Sequence, residues 1–139
     1  MSSVRRVVVD TNVFVAAAFN RRSSSAELVR LIADGALELV WNDATRRETA
    51  NVLRRIPRID WGDVGPLFQR EGRHGDTLPI DAFGHVADPD DRKFAALAAA
   101  SQATLVTNDD HLLSHRGRAD VSVMKPSELM RQIEADGGR

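Results

Sequence analysis

The sequence predicts an α/β domain, a parallel sheet covered by helices on both faces, and three observations carry that expectation. Short β-branched runs alternate with longer stretches of helical periodicity along the chain. The first run, Val7-Val8-Val9, lacks polar alternation, which is how a strand buried on both faces reads. No internal repeat, low-complexity tract or linker interrupts the 139 residues, so residues 1–139 are expected to form one doubly wound domain.

The elements follow in order. Val4 to Val9 is the first strand. Asp10 and Thr11 supply helix-start chemistry, and Val13 to Phe19 continue as a helix. Asn20 to Ser25 is polar and reads as a loop. Ala26 to Ala33 carries Leu28, Leu31 and Ile32 at helical spacing and stops at Asp34-Gly35. Leu37 to Trp41 alternates as a strand. Asn42 or Asp43 caps a helix running to about Arg55, which Pro57 ends. Asp60 to Gly84 is the least legible stretch, with a weak helical pattern over Val64 to Arg70 and a short extended segment at Thr77 to Ile80. Asp88, Pro89, Asp90 and Asp91 open a helical run, Arg92 to Ser101. Ala103 to Thr107 and Val121 to Met124 are strands, and Pro126 starts a terminal helix.

Composition sets limits on function. Hydrophobic content of 42% and charged content of 28% are ordinary for a globular chain. No apolar run approaches the roughly 18 residues that a membrane span needs. The N-terminal apolar stretch is too short for a signal peptide. Without cysteine, neither a disulfide framework nor a thiolate metal site can form, which fits a cytoplasmic protein. The net charge of −1 becomes +3 once the four acids weighed below are set aside. The positive charge is mostly arginine in pairs, and arginine contacts phosphate bidentately. Most pairs read as solvated helix faces. Arg46/Arg47 and Arg116/Arg118, nearest the acids, are the candidates for nucleic-acid backbone contact.

The acids are Asp10, Glu48, Asp91 and Asp109. Asp10 follows the first strand, and ligand crevices of open α/β sheets lie beyond strand C-termini; a plain helix N-cap explains it equally well. Glu48 shares a helix face with Ala44, Val52 and Ile56, with Thr49 and Leu53 beside it. A glutamate there is costly unless paired or metal-bound, and a site is preferred over an arginine salt bridge because buried ionisable groups cluster at sites. Asp91 heads the stripe Phe94, Leu97, Ala98, while Asp88 and Asp90 can do the capping. Asp109 follows Leu105-Val106-Thr107-Asn108; Asp110 is the alternative, and a polar turn is the bland explanation. Carboxylates gathered in a cleft repel unless a cation lies between them. An acid-rich, cysteine-free set favours Mg²⁺ or Mn²⁺ over zinc. Of His74, His85, His111 and His115, only the last two are four apart, and surface positions account for them better than a zinc site.

The stretches VVVDTNVFVAA, DATRRETANVLRR, ADPDDRKFAALAAASQATLVTNDDHLL and VSVMKPSEL, taken together, resemble the PIN-domain family. They cover most of the chain except the region from about Asp60 to Gly84. The resemblance implies a Rossmann-like three-layer α/β/α fold and a metal-dependent endoribonuclease, with many small members serving as VapC-like toxins of toxin–antitoxin pairs. It implies Asp10, Glu48, Asp91 and Asp109 as catalytic and Mg²⁺- or Mn²⁺-binding acids, with Asn12 and Thr107 as polar helpers. Arg46 and Arg47 would hold RNA phosphates. A cognate antitoxin and a homodimer are the implied partners. Relatives closest in pattern often carry a further acid two residues after the last aspartate, where this chain has His111. A catalytically weak PIN module that binds RNA or a protein is therefore the alternative. A nucleotide-binding Rossmann domain ranks behind both, because the chain has neither GxGxxG nor GxxxxGK[ST].

Overall fold

The computed structural model describes residues 4–75, 89–114 and 121–137, with backbone alone at 89–91. Strand β1 (Arg5–Val9) leads through Asp10 into α1 (Thr11–Phe19), followed by α2 (Ser24–Ala33) and β2 (Leu37–Leu39). Next come α3 (Asp43–Arg54), α4 (Trp61–Val64) and two 3₁₀ turns, Gly65–Leu67 and Arg70–Gly72. The described chain continues with α5 (Pro89–Ser101), β3 (Thr104–Val106), α6 (Asp110–Leu113), β4 (Val123–Met124) and α7 (Pro126–Ala135).

The four strands form one parallel sheet in the order β2-β1-β3-β4. β1 is flanked by β2 on one side and β3 on the other, so the chain reverses its direction of travel across the sheet between β1 and β3. In doubly wound sheets that reversal opens a crevice beyond the strand C-termini. Period-two geometry splits the valine run: Val7 and Val9 join Leu28, Ile32, Leu53, Leu129 and Ile133, while Val8 faces Phe94, Leu97, Leu105 and Leu112. Both faces are therefore covered, as the unalternating run implied. Leu28, Leu53, Leu97 and Leu105 are fully buried, each contributing about 2 kcal/mol by transfer from water.

Local chemistry fixes the helix ends. Asn42 caps α3, its side chain accepting from the Thr45 N–H at 2.9 Å while the Thr45 hydroxyl accepts from the Asn42 N–H at 3.1 Å. Gly35, at φ +82°, closes α2 in the left-handed region, as Asp34-Gly35 suggested. α2 starts earlier than the sequence indicated: the Ser23 hydroxyl accepts from the Ala26 N–H at 3.1 Å and draws Ser24 and Ser25 out of the expected loop into the helix. β2 ends at Leu39, but Trp41 forms an isolated parallel bridge with Arg73. The weak helical signal over Val64 to Arg70 resolves into the end of α4 and the 3₁₀ turns. This segment packs through Phe68, whose ring lies about 6 Å from those of Phe14, Trp41 and Trp61. Thr77 to Ile80, His85, Asp88, His115, Arg116 and Arg118 lie outside the described residues. Among the described residues no helix is long and apolar enough to cross a membrane.

Candidate active site

The β1–α1 and β3–α6 junctions meet at the point where the sheet reverses. The Asp10 N–H donates to the Val106 carbonyl at 3.0 Å, which extends the β1–β3 pairing past the last strand residue. Asp10 occupies the N-cap position of α1, yet its side chain makes no capping hydrogen bond. Its carboxylate instead accepts from the Thr107 hydroxyl at 2.7 Å. The same Thr107 oxygen accepts from the Asp109 N–H at 2.9 Å, so one fully buried hydroxyl ties the two strand-end aspartates together. Asn12 accepts the Asn108 N–H at 3.2 Å, and the Asn108 side chain donates to Ser25 at 3.2 Å. Three chain segments are thereby locked around Asp10.

Asp10 is only 5% exposed, and among the described residues no ion pair neutralises it. Burial pushes its pKa from 3.8 up to about 6; the Thr107 hydrogen bond opposes that rise, and the charges of Asp109 and Glu48 add to it. The electrostatics therefore link three of the four sequence-nominated acids. Asp109 itself is half-buried and also caps α6, accepting from the His111 N–H at 2.9 Å. The turn-capping explanation and proximity to Asp10 both hold for this residue. Asp110 lies within α6 and is exposed.

Glu48 is held differently. The buried stripe of α3 is Thr45, Thr49, Ala50 and Leu53, with Glu48 on its shoulder beside half-buried Ala44, Val52 and Ile56. Its carboxylate pairs with Lys93 of α5 at 3.5 Å, both side chains being 23% exposed. The sequence reading allowed a salt bridge to an arginine; the partner is a lysine 45 residues away. Asp91 lies in the first turn of α5, two residues before Lys93, and its side chain is outside the described residues. Among the described residues, no three His, Cys, Asp or Glu groups stand together as a cation site. Among the described residues around Asp10 the groups able to ligate a cation offer carboxylate, amide and hydroxyl oxygens, which fits a hard divalent cation better than zinc.

Arg46 and Arg47 sit at the start of α3. The Arg46 guanidinium stacks over the Trp61 ring at 5.4 Å from its centroid, and Arg47 is exposed. Asp43, exposed at the surface, is held below the usual carboxylate range by its hydrogen-bonded partner Arg73, with help from Arg47 and Arg46.

A cavity of about 800 Å³ opens in front of Asp10 and Asp109. Its polar lining includes Asn12, Ser25, Asn108 and Lys125. Sequence reading missed Lys93 and the contribution of Ser25. Lys93 stands two residues after a nominated acid, a spacing that offered a signal; the Ser25 contact, made across 83 residues, offered none.

A doubly wound parallel sheet with aspartates at its reversal point defines the class of fold, and the family is shown by sequence: residues 6–111 match the PIN domain model, and the chain belongs to that family. PIN domains are generally nucleases. Among solved structures the chain is similar to PAE2754 from Pyrobaculum aerophilum, at 22% identity and a TM-score of 0.59, over 95% of this chain and 90% of that one. It is also similar to a chain of VapBC2 from Rickettsia felis, solved bound to a DNA fragment from their promoter, at 16% identity and a TM-score of 0.57, over 86% and 98%. At these identities the likeness shows the fold. No curated protein matches the chain significantly.

Proposed function

We propose that the chain is a Mg²⁺- or Mn²⁺-dependent endoribonuclease and the toxin of a toxin–antitoxin pair, acting in the cytoplasm as a homodimer, with residues 1–139 forming a single PIN domain. The observation that carries the nuclease reading is the buried Asp10 carboxylate, which lacks a counter-charge among the described residues and is pressed upward in pKa by burial and by two other acids. Charge arranged this way is relieved by a cation. The toxin reading rests on the family and on the likeness to a VapBC2 chain.

Asp10, Asp91 and Asp109 would hold the cation, with Glu48 binding a second ion or orienting the attacking water. When bound, the cation supplies an acidified water and neutralises charge that builds on the phosphate oxygens. The Thr107 hydroxyl fixes the rotamer of Asp10 and leaves its remaining lone pairs for the site. Asn12 holds the Asn108 loop, and so the position of Asp109, through its acceptor oxygen. Water would attack the phosphorus in line as the P–O bond to the ribose oxygen opposite it breaks, that oxygen leaving as an alcohol with a proton from solvent, and exposed Arg47 would take a flanking phosphate. Purified Asp10→Asn is expected to lose Mg²⁺-dependent RNase activity by a thousandfold or more; full retained activity would remove the mechanism.

One pair of features favours the second reading, an RNA- or protein-binding module without catalysis. Lys93 already neutralises Glu48, and His111 stands where the resemblance to PIN domains often implies a further acid. Calorimetric titration with Mn²⁺ separates the two readings, since a dead site gives no specific heat.

A further inference from the structure

The helices that follow Asp10 and carry Glu48 meet through a polar contact. Thr11, the first residue of α1, and Thr49, within α3, bring their hydroxyl oxygens to 2.9 Å of each other. Both side chains are buried, at 7% and 1% exposure. Thr11 directly follows Asp10, and Thr49 directly follows Glu48. The pair therefore lies one residue from each acid, on helices whose contact residues are 38 apart in sequence. The other side chains that α1 and α3 bury are mostly apolar: Val13, Phe14, Ala50 and Leu53. Apolar burial is non-directional and leaves one helix able to slide along another. A hydrogen bond demands a distance and an angle, and it strengthens in a dry interface. Lys93 holds the Glu48 carboxylate from α5 at 3.5 Å, but an ammonium on a flexible stem sets no helix register. Stability alone does not call for hydroxyls here, because two apolar groups of the same shape replace a buried hydrogen-bonded pair at almost no cost.

We infer that Thr11 and Thr49 are positioning residues, their hydroxyl pair fixing α3 against α1 so that Glu48 stands at a set distance from Asp10. The inference rests on the nuclease reading above. The two acids already sense each other, since the Glu48 charge acts on Asp10. Groups that hold a cation or orient its water must be placed to within about 0.5 Å. A displacement of about 1 Å costs on the order of a hundredfold in rate. The pair thus acts through Glu48 and touches neither cation nor substrate.

The test uses the full chain as wild type, the double variant Thr11→Val with Thr49→Val, Thr49→Ser, Glu48→Gln, and the double variant combined with Glu48→Gln. Denaturation, calorimetric Mn²⁺ titration and cleavage of a labelled mixed-sequence RNA are measured on each. The double variant is expected to keep the wild-type denaturation midpoint, because no buried hydroxyl is left unpaired. It should nonetheless bind Mn²⁺ several-fold more weakly and lose about a hundredfold in kcat with little change in KM. Thr49→Ser, which keeps the hydroxyl, should retain kcat. Adding Glu48→Gln to the double variant should cost no more than Glu48→Gln alone, since both changes remove the same placement. A double variant with wild-type Mn²⁺ affinity and kcat makes the pair mere packing and overturns the inference, as does a Thr49→Ser that falls as far as the double variant. Fully multiplicative losses overturn it too, by showing that the pair does not act through Glu48. A wild type that neither binds Mn²⁺ nor cleaves RNA overturns the nuclease reading itself.

Discussion

The β1–β3 edge and the α3–α5 corner each hold an acid of the proposed site, and they solve the same electrostatic problem in opposite ways. Asp10 is nearly sealed from solvent and held by a neutral hydroxyl. Glu48 keeps partial contact with water and has a lysine 3.5 Å away. A buried carboxylate left uncompensated costs folding free energy, whereas a half-exposed ion pair is nearly neutral to stability. The protein thus carries its strain at one acid and relieves it at the other. The strained one is where a cation has most to gain.

The largest effect that sharpens this comparison is a pH dependence. Asp10 is raised from 3.8 unfolded to about 6 folded, so between those values the folded chain holds a proton that the unfolded chain has released. Without metal, stability from this group is fully present below about 3.8 and is lost as pH rises toward 6. The loss is about 3 kcal/mol. Chemical denaturation in a chelator across that window should show it, and Asp10→Asn should flatten the slope. An unchanged slope in Asp10→Asn would assign the pH dependence to other groups and break the contrast.

Thr107→Val comes next. It keeps shape, removes the hydroxyl that ties Asp10 to Asp109, and leaves a buried carboxylate and an amide without that partner. A loss of about 1–3 kcal/mol is expected. Because that hydrogen bond lowers the Asp10 pKa, the titration window should also move upward, a shift readable in the same denaturation series. Lys93→Met should matter least to folding, by less than about 1 kcal/mol, because both partners are partly solvated. It should strengthen Mn²⁺ affinity severalfold, measured by calorimetry, by removing a competitor for Glu48. Weaker affinity instead would make Lys93 a support of the cation site and erase the distinction between the two corners.

The same two regions show what the sequence could and could not reveal. Asp10 was legible because Val7-Val8-Val9 reads as a doubly buried strand and a residue just past it sits at the sheet's C-terminal edge. Glu48 was legible as a misplaced charge on a helix face, but its partner was not, since nothing local links residues 45 apart. The buried stripe of α3 was legible at Thr49 and Leu53, but not at Thr45, whose hydroxyl is taken up by the capping bonds with Asn42; Thr49 is bonded to Thr11 at 2.9 Å. The start of α2 was missed because three consecutive serines give no hint of which one caps. The stretch from Trp61 to Gly72 resisted periodicity because ring contacts with distant aromatics shape it. Gly72 shows the same limit: a Cβ there would fall 1.8 Å from the Leu39 carbonyl oxygen, a contact invisible in the chain.

Thermal unfolding of wild type and Asp10→Asn at neutral pH, each with and without Mn²⁺, tests the central claim most directly. The account predicts that metal-free Asp10→Asn melts higher than metal-free wild type, and that Mn²⁺ raises the wild-type midpoint while leaving the variant unmoved. Wild type melting at the same temperature with and without Mn²⁺, or both proteins gaining equally, would contradict it.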